Sequence, residues 1–176
     1  IHVPDDLKGL KMRVMPSPLL MEQYKTWGAN PIPIEFAELY NALQQKTVDG
    51  QENPIGTITL QKYYEVQDYL MLSNHGFLLY ALVANLDWYN SLPAEYQEMI
   101  QEAGKVAAEV QRQSLRDKEA GYMEQIKETG IKIVEFSESD RAAFVEASKP
   151  IYETFANTPS KQEVLNTILE AIEKYQ

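Results

Sequence analysis

The stretch PIPIEFAELYNALQQKTVDGQENP, residues 31–54, decides the fold. Ile32 and Ile34 alternate with prolines in a short extended run. Phe36, Leu39, Tyr40 and Leu43 then recur at three- and four-residue spacing, which predicts one apolar face of a helix. Thr47 and Val48 restart an extended segment, Asp49-Gly50 turns it, and Asn53-Pro54 is expected to cap and open the next helix. The unit is therefore strand, helix, strand and helix start. It places Asp49, Gln51, Glu52 and Asn53 just beyond a strand end at the mouth of a helix, and in open α/β sheets ligands bind there.

Working outward, residues 11–15 alternate, with Met12 and Val14 on one face and Lys11, Arg13 and Met15 on the other, as in a strand. Ser17-Pro18 reads as a helix cap and first position, Leu20, Tyr24 and Trp27 as the apolar stripe, and Gly28 as the stop. The helix opened by Pro54 is expected to reach about Tyr64. Two β-rich runs follow at residues 69–73 and 77–84; the second, FLLYALVA, is apolar without alternation, as in a strand buried on both faces. A helical pattern then runs from Pro93 to Gly130 with Tyr96, Met99, Ile100, Ala103, Val106 and Val110 on one face. At 1.5 Å per residue such a helix would be ~55 Å long, so it is expected to kink near Gly104 or Gly121 or to cross between lobes. Residues 131–136 form a further strand, and a helix from Ser137 is expected to be interrupted at Pro150 and to continue toward Phe155. Ser160 and Glu163 read as a capping box before a last helix with Val164, Ile168, Ile172 and Tyr175 on its buried face. Strands separated by helices imply an α/β fold.

Composition narrows the function classes. A chain of 176 residues with 44% hydrophobic and 24% charged residues is long enough for one good core. The formal net charge of −10 argues against nucleic acid and against a polybasic membrane anchor. With no cysteine and only two histidines, disulfides, thiolate nucleophiles and a His- or Cys-based metal site are not expected. No apolar run approaches the ~20 residues of a membrane span. The opening IHVPDD lacks the basic region and apolar core of a signal peptide, so the sequence is expected to begin inside a mature protein or to be a fragment. No P-loop, G-x-G-x-x-G or nucleophile-elbow pattern is present.

Four motifs stand in one order: Lys-Met-Arg-Val from residue 11, Gly-Ala-Asn-Pro-Ile-Pro from 28, Glu-Leu-Tyr-Asn-Ala-Leu-Gln from 38, and Val-Asp-Gly-Gln-Glu-Asn-Pro from 48. With KYYEVQDYLMLSNH downstream, residues 7–75 resemble the DctP-type solute-binding proteins of TRAP transporters. The resemblance implies a periplasmic-binding-protein type II-like lobe with a mixed sheet and a long inter-lobe helix. It further implies a non-enzymatic, periplasmic receptor without a cofactor, which captures a small organic acid between two lobes and delivers it to membrane permease subunits. By the same resemblance residues 1–76 belong to the second lobe, 77–118 supply a hinge strand and helix to the first, and 119–176 return to the second. Most of the first lobe is then absent from this chain. The strand at 77–84 would lack its partners, and the isolated chain is expected to self-associate through it.

Arg13 is the sharpest candidate for ligand binding. Its guanidinium is a planar fork that matches a carboxylate bidentately, and its weak hydration suits a closed cleft. Its position matches the family arginine, which implies the carboxylate clamp. Asn53 is a good helix cap by itself, and the resemblance adds a ligand hydrogen bond. Phe36 is core by its spacing and pocket-lining by the resemblance. Gln51, Glu52 and Asp49 are expected to orient Arg13 or Asn53, though a solvated turn accounts for them equally well. His75 reads as a satisfied turn histidine. Two other readings stay open on residues alone: a small α/β hydrolase using the Asp49 and Glu52 carboxylates, and an interaction module built on the long helix.

Overall fold

The structure, a computed structural model, describes residues 1–175. Strand β1 (Lys11–Val14) lies at the centre of a three-stranded sheet, between β2 (Asn30–Pro33) and β3 (Gly50–Gln51), and both pairings are parallel. Pro31 and Pro33 have no N–H for a second neighbour, so β2 can only be an edge strand. Between β1 and β2 runs α1 (Pro18–Thr26). The Ser17 hydroxyl accepts from Leu20 N at 3.4 Å, Pro18 takes the first position, and Gly28 closes the helix at φ +91°. Between β2 and β3 a 3-10 turn, Phe36–Glu38, leads into α2 (Leu39–Gln44), which buries Leu39 and Leu43.

The entry to β3 differs from expectation. Residues 47–49 bend instead of extending, and Gly50 is the first strand residue, not part of a turn. The cause is a two-point tie across the sheet: Lys11 N donates to Asp49 Oδ2 and Asp49 N donates to Lys11 O, both at 2.8 Å. That tie seats Gly50 opposite Met12, where an added Cβ would stand 2.8 Å from the Met12 sulfur. Helix α3 (Ile55–Leu60) is shorter than expected because Lys62 takes a left-handed conformation and Tyr63–Glu65 forms a separate 3-10 turn.

A second sheet pairs β4 (Tyr69–Leu72) with β5 (Lys132–Glu135), also in parallel. The antiparallel component expected of a mixed sheet is not found among the described residues. Residues 77–84, expected to be a strand buried on both faces, form no strand, and Phe77 is 89% exposed. After α4 (Leu86–Ser91), α5 (Ala94–Glu128) runs for 35 residues, ~52 Å at 1.5 Å per residue, as one helix through Gly104 and Gly121. Its C-terminal part packs on α3, with Ile126 in the core.

Helix α6 (Glu138–Phe155) starts on a Ser137–Asp140 capping box and passes through Pro150 without a break. Pro150 and Glu146, whose carbonyl loses its N–H partner, are both exposed, so water can replace the missing bond. The last helix, α7 (Pro159–Tyr175), begins one residue before Ser160, and Thr158 Oγ1 accepts from Lys161 N at 3.4 Å in place of the expected cap. Its apolar face is uncovered by the described residues, with Val164 60% and Ile168 51% exposed, and the Tyr175 side chain lies outside them.

Two apolar clusters hold the sheet. Leu39, Leu43, Val48, Ile58, Tyr63, Leu70 and Ile126 form one, and Leu7, Val14, Tyr24, Trp27, Ala29 and Phe144 form the other. Arg13 and Val14 are adjacent and point to opposite faces, so Val14 enters the second cluster while the Arg13 guanidinium lies within electrostatic reach of Tyr63 in the first.

Candidate functional site

The C-terminal ends of the three parallel strands converge on one polar cluster. Arg13 is 2% exposed, and its Nε donates to the Ile34 carbonyl, just past β2, at 2.9 Å. Gln51 of β3 is its register partner on the other side. No buried side-chain nitrogen or oxygen lacks a partner among the described residues, so the terminal N–H groups of Arg13 are the part of it that reaches the surface. Arg13 makes no ion pair within 4.0 Å among those residues. Burial works against its charge, and the fields of Tyr63, Glu52 and Glu35 work in favour of it. A guanidinium stays charged even so. A buried cation without a contacting anion is an unusual expense in a small lobe.

Glu52 follows Gln51 and is half-buried. Burial raises its carboxyl above the ordinary range, and the Arg13 charge pulls it part of the way back. Glu52 also acts through space on the Tyr24 hydroxyl, whose pKa burial pushes well up. Asn53 is not the cap of α3, since Pro54 takes that position without a side-chain bond. Its amide Nδ2 instead donates to Gln51 Oε1 at 2.6 Å, and Gln51 Nε2 donates to Gln67 Oε1 at 3.2 Å.

Phe36 stands 49% exposed on the 3-10 turn after β2 and does not join the core, because the turn breaks the helical register with Leu39 and Leu43. Asp49 lies at the opposite, N-terminal end of the sheet, its carboxylate held by Lys11 N. The strand between separates it from Glu52, so the two carboxylates do not make one acid–base pair. His75 is satisfied: its Nδ1 lies 2.7 Å from Ser73 Oγ, and its ring packs edge-on to Tyr24 and Trp27. The structure thus gathers Arg13, Gln51, Glu52 and Asn53, and adds Tyr63, Gln67 and the Ile34 carbonyl. Neither Tyr63 nor Gln67 was among the expected site residues, and the place of Gln67 depends on its contact with Gln51.

A buried guanidinium without a contacting anion can pair with a carboxylate. Comparison with known proteins identifies the family. The model of the family DctP, bacterial extracellular solute-binding protein, family 7, matches residues 1–158. The chain belongs to this family. It is 38% identical over 160 residues to a C4-dicarboxylate-binding periplasmic protein of Vibrio cholerae, covering 88% of this chain and 47% of that one. It is 35% identical over 147 residues to the 2,3-diketo-L-gulonate-binding periplasmic protein of Escherichia coli, covering 84% and 44%. The periplasmic ectoine-binding protein of the Halomonas elongata TRAP transporter superposes with a TM-score of 0.90 at 33% identity, over 94% of this chain and 56% of that one. The DctP-type chain described here therefore spans about half the length of the relatives it matches.

Proposed function

We propose that this chain supplies the carboxylate-holding lobe of a periplasmic solute-binding protein that captures a small organic acid and hands it to a TRAP membrane permease. One observation carries the reading: Arg13 is buried at the strand ends, held by its Nε, with no anion against it among the described residues. Desolvating a carboxylate is costly, and a charge-assisted bidentate pair offsets that cost. Solved relatives support the ligand class, since one is described with bound succinate, another with β-D-galacturonate and a third with orotic acid. Asn53 is the second ligand contact in this reading. Phe36, with its ring half-exposed beside the same strand ends, closes one wall.

Residues 1–76 and 119–176 form the second lobe, and 77–118 reach into a first lobe that the rest of the cleft requires. The uncovered apolar run at 77–84 supports this assignment. The same run leads the isolated chain to self-associate. Sedimentation at rising concentration should show dimer or larger species, and Leu79→Lys with Val83→Lys should return it to monomer; a monomer throughout rejects the idea.

The decisive experiment is a thermal-shift screen of small carboxylates on the two-lobed protein, with Arg13→Ala as its pair. A ligand at about 100 times its Kd adds ~2.7 kcal/mol of stability, an easily seen shift. A shift that vanishes in Arg13→Ala supports the reading. A shift that survives, or none from any acid, overturns it.

A further inference from the structure

The amide chain Gln67–Gln51–Asn53 has a direction. Gln67 presents its carbonyl oxygen to the Gln51 N–H, and Gln51 then has only its own carbonyl left to face the Asn53 amide nitrogen. A primary amide donates from one end and accepts at the other, so each link dictates the next. Reversing the first amide would require reversing all three. The far end of the chain is Asn53, whose Oδ1 and second N–H engage nothing among the described residues. Gln51 is the register partner of Arg13, so these two free groups lie two residues past the strand position that pairs with Arg13.

We propose that Gln67, which joins the strand-end cluster only through Gln51, is a positioning residue that fixes which way round Asn53 offers its amide to the solute. With Gln67 accepting, Asn53 shows the cleft a carbonyl oxygen as well as one N–H. Arg13 provides donors only. The combination suits an acid carrying a hydrogen-bond donor near its carboxylate, a hydroxy acid above all, because Asn53 Oδ1 then has a hydroxyl to accept. An acid without that hydroxyl leaves Oδ1 buried in the closed cleft without a partner. The selectivity is thus assigned to a residue that never touches the solute. This inference rests on the carboxylate-binding reading given above.

The test uses the two-lobed protein, calorimetry with malate against succinate and lactate against propionate, and side-chain amide hydrogen exchange by NMR. Gln67→Met keeps the length and removes the acceptor, while Gln67→Glu keeps the acceptor. In Gln67→Met the preference for the hydroxy acid should fall by about 2- to 10-fold, the worth of one hydrogen bond, and in Gln67→Glu the preference should be retained even where added charge weakens both acids. Comparing acids of equal charge removes that added charge from the ratio. An unchanged ratio in Gln67→Met overturns the proposal. Should no acid bind, or should binding ignore Arg13→Ala, the carboxylate reading fails, and exchange still decides the relay. The Gln51 amide should have one slowed hydrogen in the parent protein that Gln67→Met releases and Gln67→Glu keeps; equal exchange in all three rejects the positioning role.

Discussion

Arg13 Nε donates to the Ile34 carbonyl at 2.9 Å, so one strand anchors the stem of the guanidinium that its neighbour carries. Lysine cannot reproduce the arrangement, having neither an Nε–H at that branch point nor a fork beyond it. Arg13→Lys should therefore lose most of the affinity that Arg13→Ala loses, ~2–5 kcal/mol for a charge pair desolvated in a cleft. Calorimetry on the two-lobed protein measures both. Lysine binding within threefold of arginine would show that charge alone suffices.

The same buried charge predicts a stability effect of opposite sign. Without a solute against it, Arg13 is a buried cation with no contacting anion, and apolar replacements at such positions are often neutral or stabilising. Arg13→Met should leave the melting temperature of the solute-free protein unchanged or raised while binding is lost. A drop of several degrees would instead assign Arg13 to holding the fold.

Trp27 links two helices that adjoin the sheet. Its indole N–H donates to Ser148 Oγ of α6 at 2.9 Å, and its ring meets Phe144 edge-on at 5.0 Å between centroids. Removing a buried aromatic of this kind costs ~3–5 kcal/mol, so Trp27→Ala should unfold at much lower urea. Trp27→Phe keeps the ring contacts and loses the hydrogen bond, about 1 kcal/mol. Equal losses in the two variants would mean that the hydrogen bond, not the packing, holds α6.

Where the signals are local, residue patterns were sufficient. Ser17-Pro18, Gly28 and the Ser137–Asp140 box lie where the chain places its helix ends, because a cap is decided within four residues. The strand that carries Arg13 followed from alternation, and the resemblance of its surrounding motif singled Arg13 out. What stayed hidden depends on distant partners. The Asp49–Lys11 tie spans 38 positions and turned an expected Asp-Gly turn into a strand entry. Gln67 joins the site only through Gln51. The run at 77–84 has the composition of a buried strand, yet composition does not supply the neighbours that would bury it. The interruption expected at Pro150 is absent because Pro150 and Glu146 are both exposed and water can take the place of the missing bond.

Two glycines in helices should respond in opposite ways. A Cβ on Gly56 would come within 3.1 Å of the Tyr122 ring, where α3 crosses α5, and nothing lies within 4 Å of a Cβ on Gly121. Gly56→Leu should cost ~1–3 kcal/mol through overpacking. Gly121→Ala should stabilise by ~0.5–1 kcal/mol, since alanine loses less backbone freedom in a helix. Denaturant melts of both variants check this, and a destabilised Gly121→Ala would reveal a close neighbour in the complete protein.

His75 makes stability depend on pH. Its ring is half-buried against Tyr24 and Trp27, with Nδ1 near Ser73 Oγ, and burial holds its pKa below 6.5. Unfolding frees the imidazole, so below about pH 6.5 the unfolded chain takes up a proton that the folded one refuses. The unfolded state then binds more protons, and stability rises with pH across that window and falls on acidification. The Glu52 carboxyl, raised by burial, has the reverse sign, because its folded form keeps a proton that the unfolded form gives up. Comparison with a His75→Gln variant separates the two, since Glu52 is common to both proteins. Urea melts at pH 7.5 and 5.5 should show the parent protein losing more stability than His75→Gln. Equal losses would mean that the buried imidazole is protonated in the folded chain, and the packing of Tyr24 and Trp27 around a neutral ring would have to be abandoned.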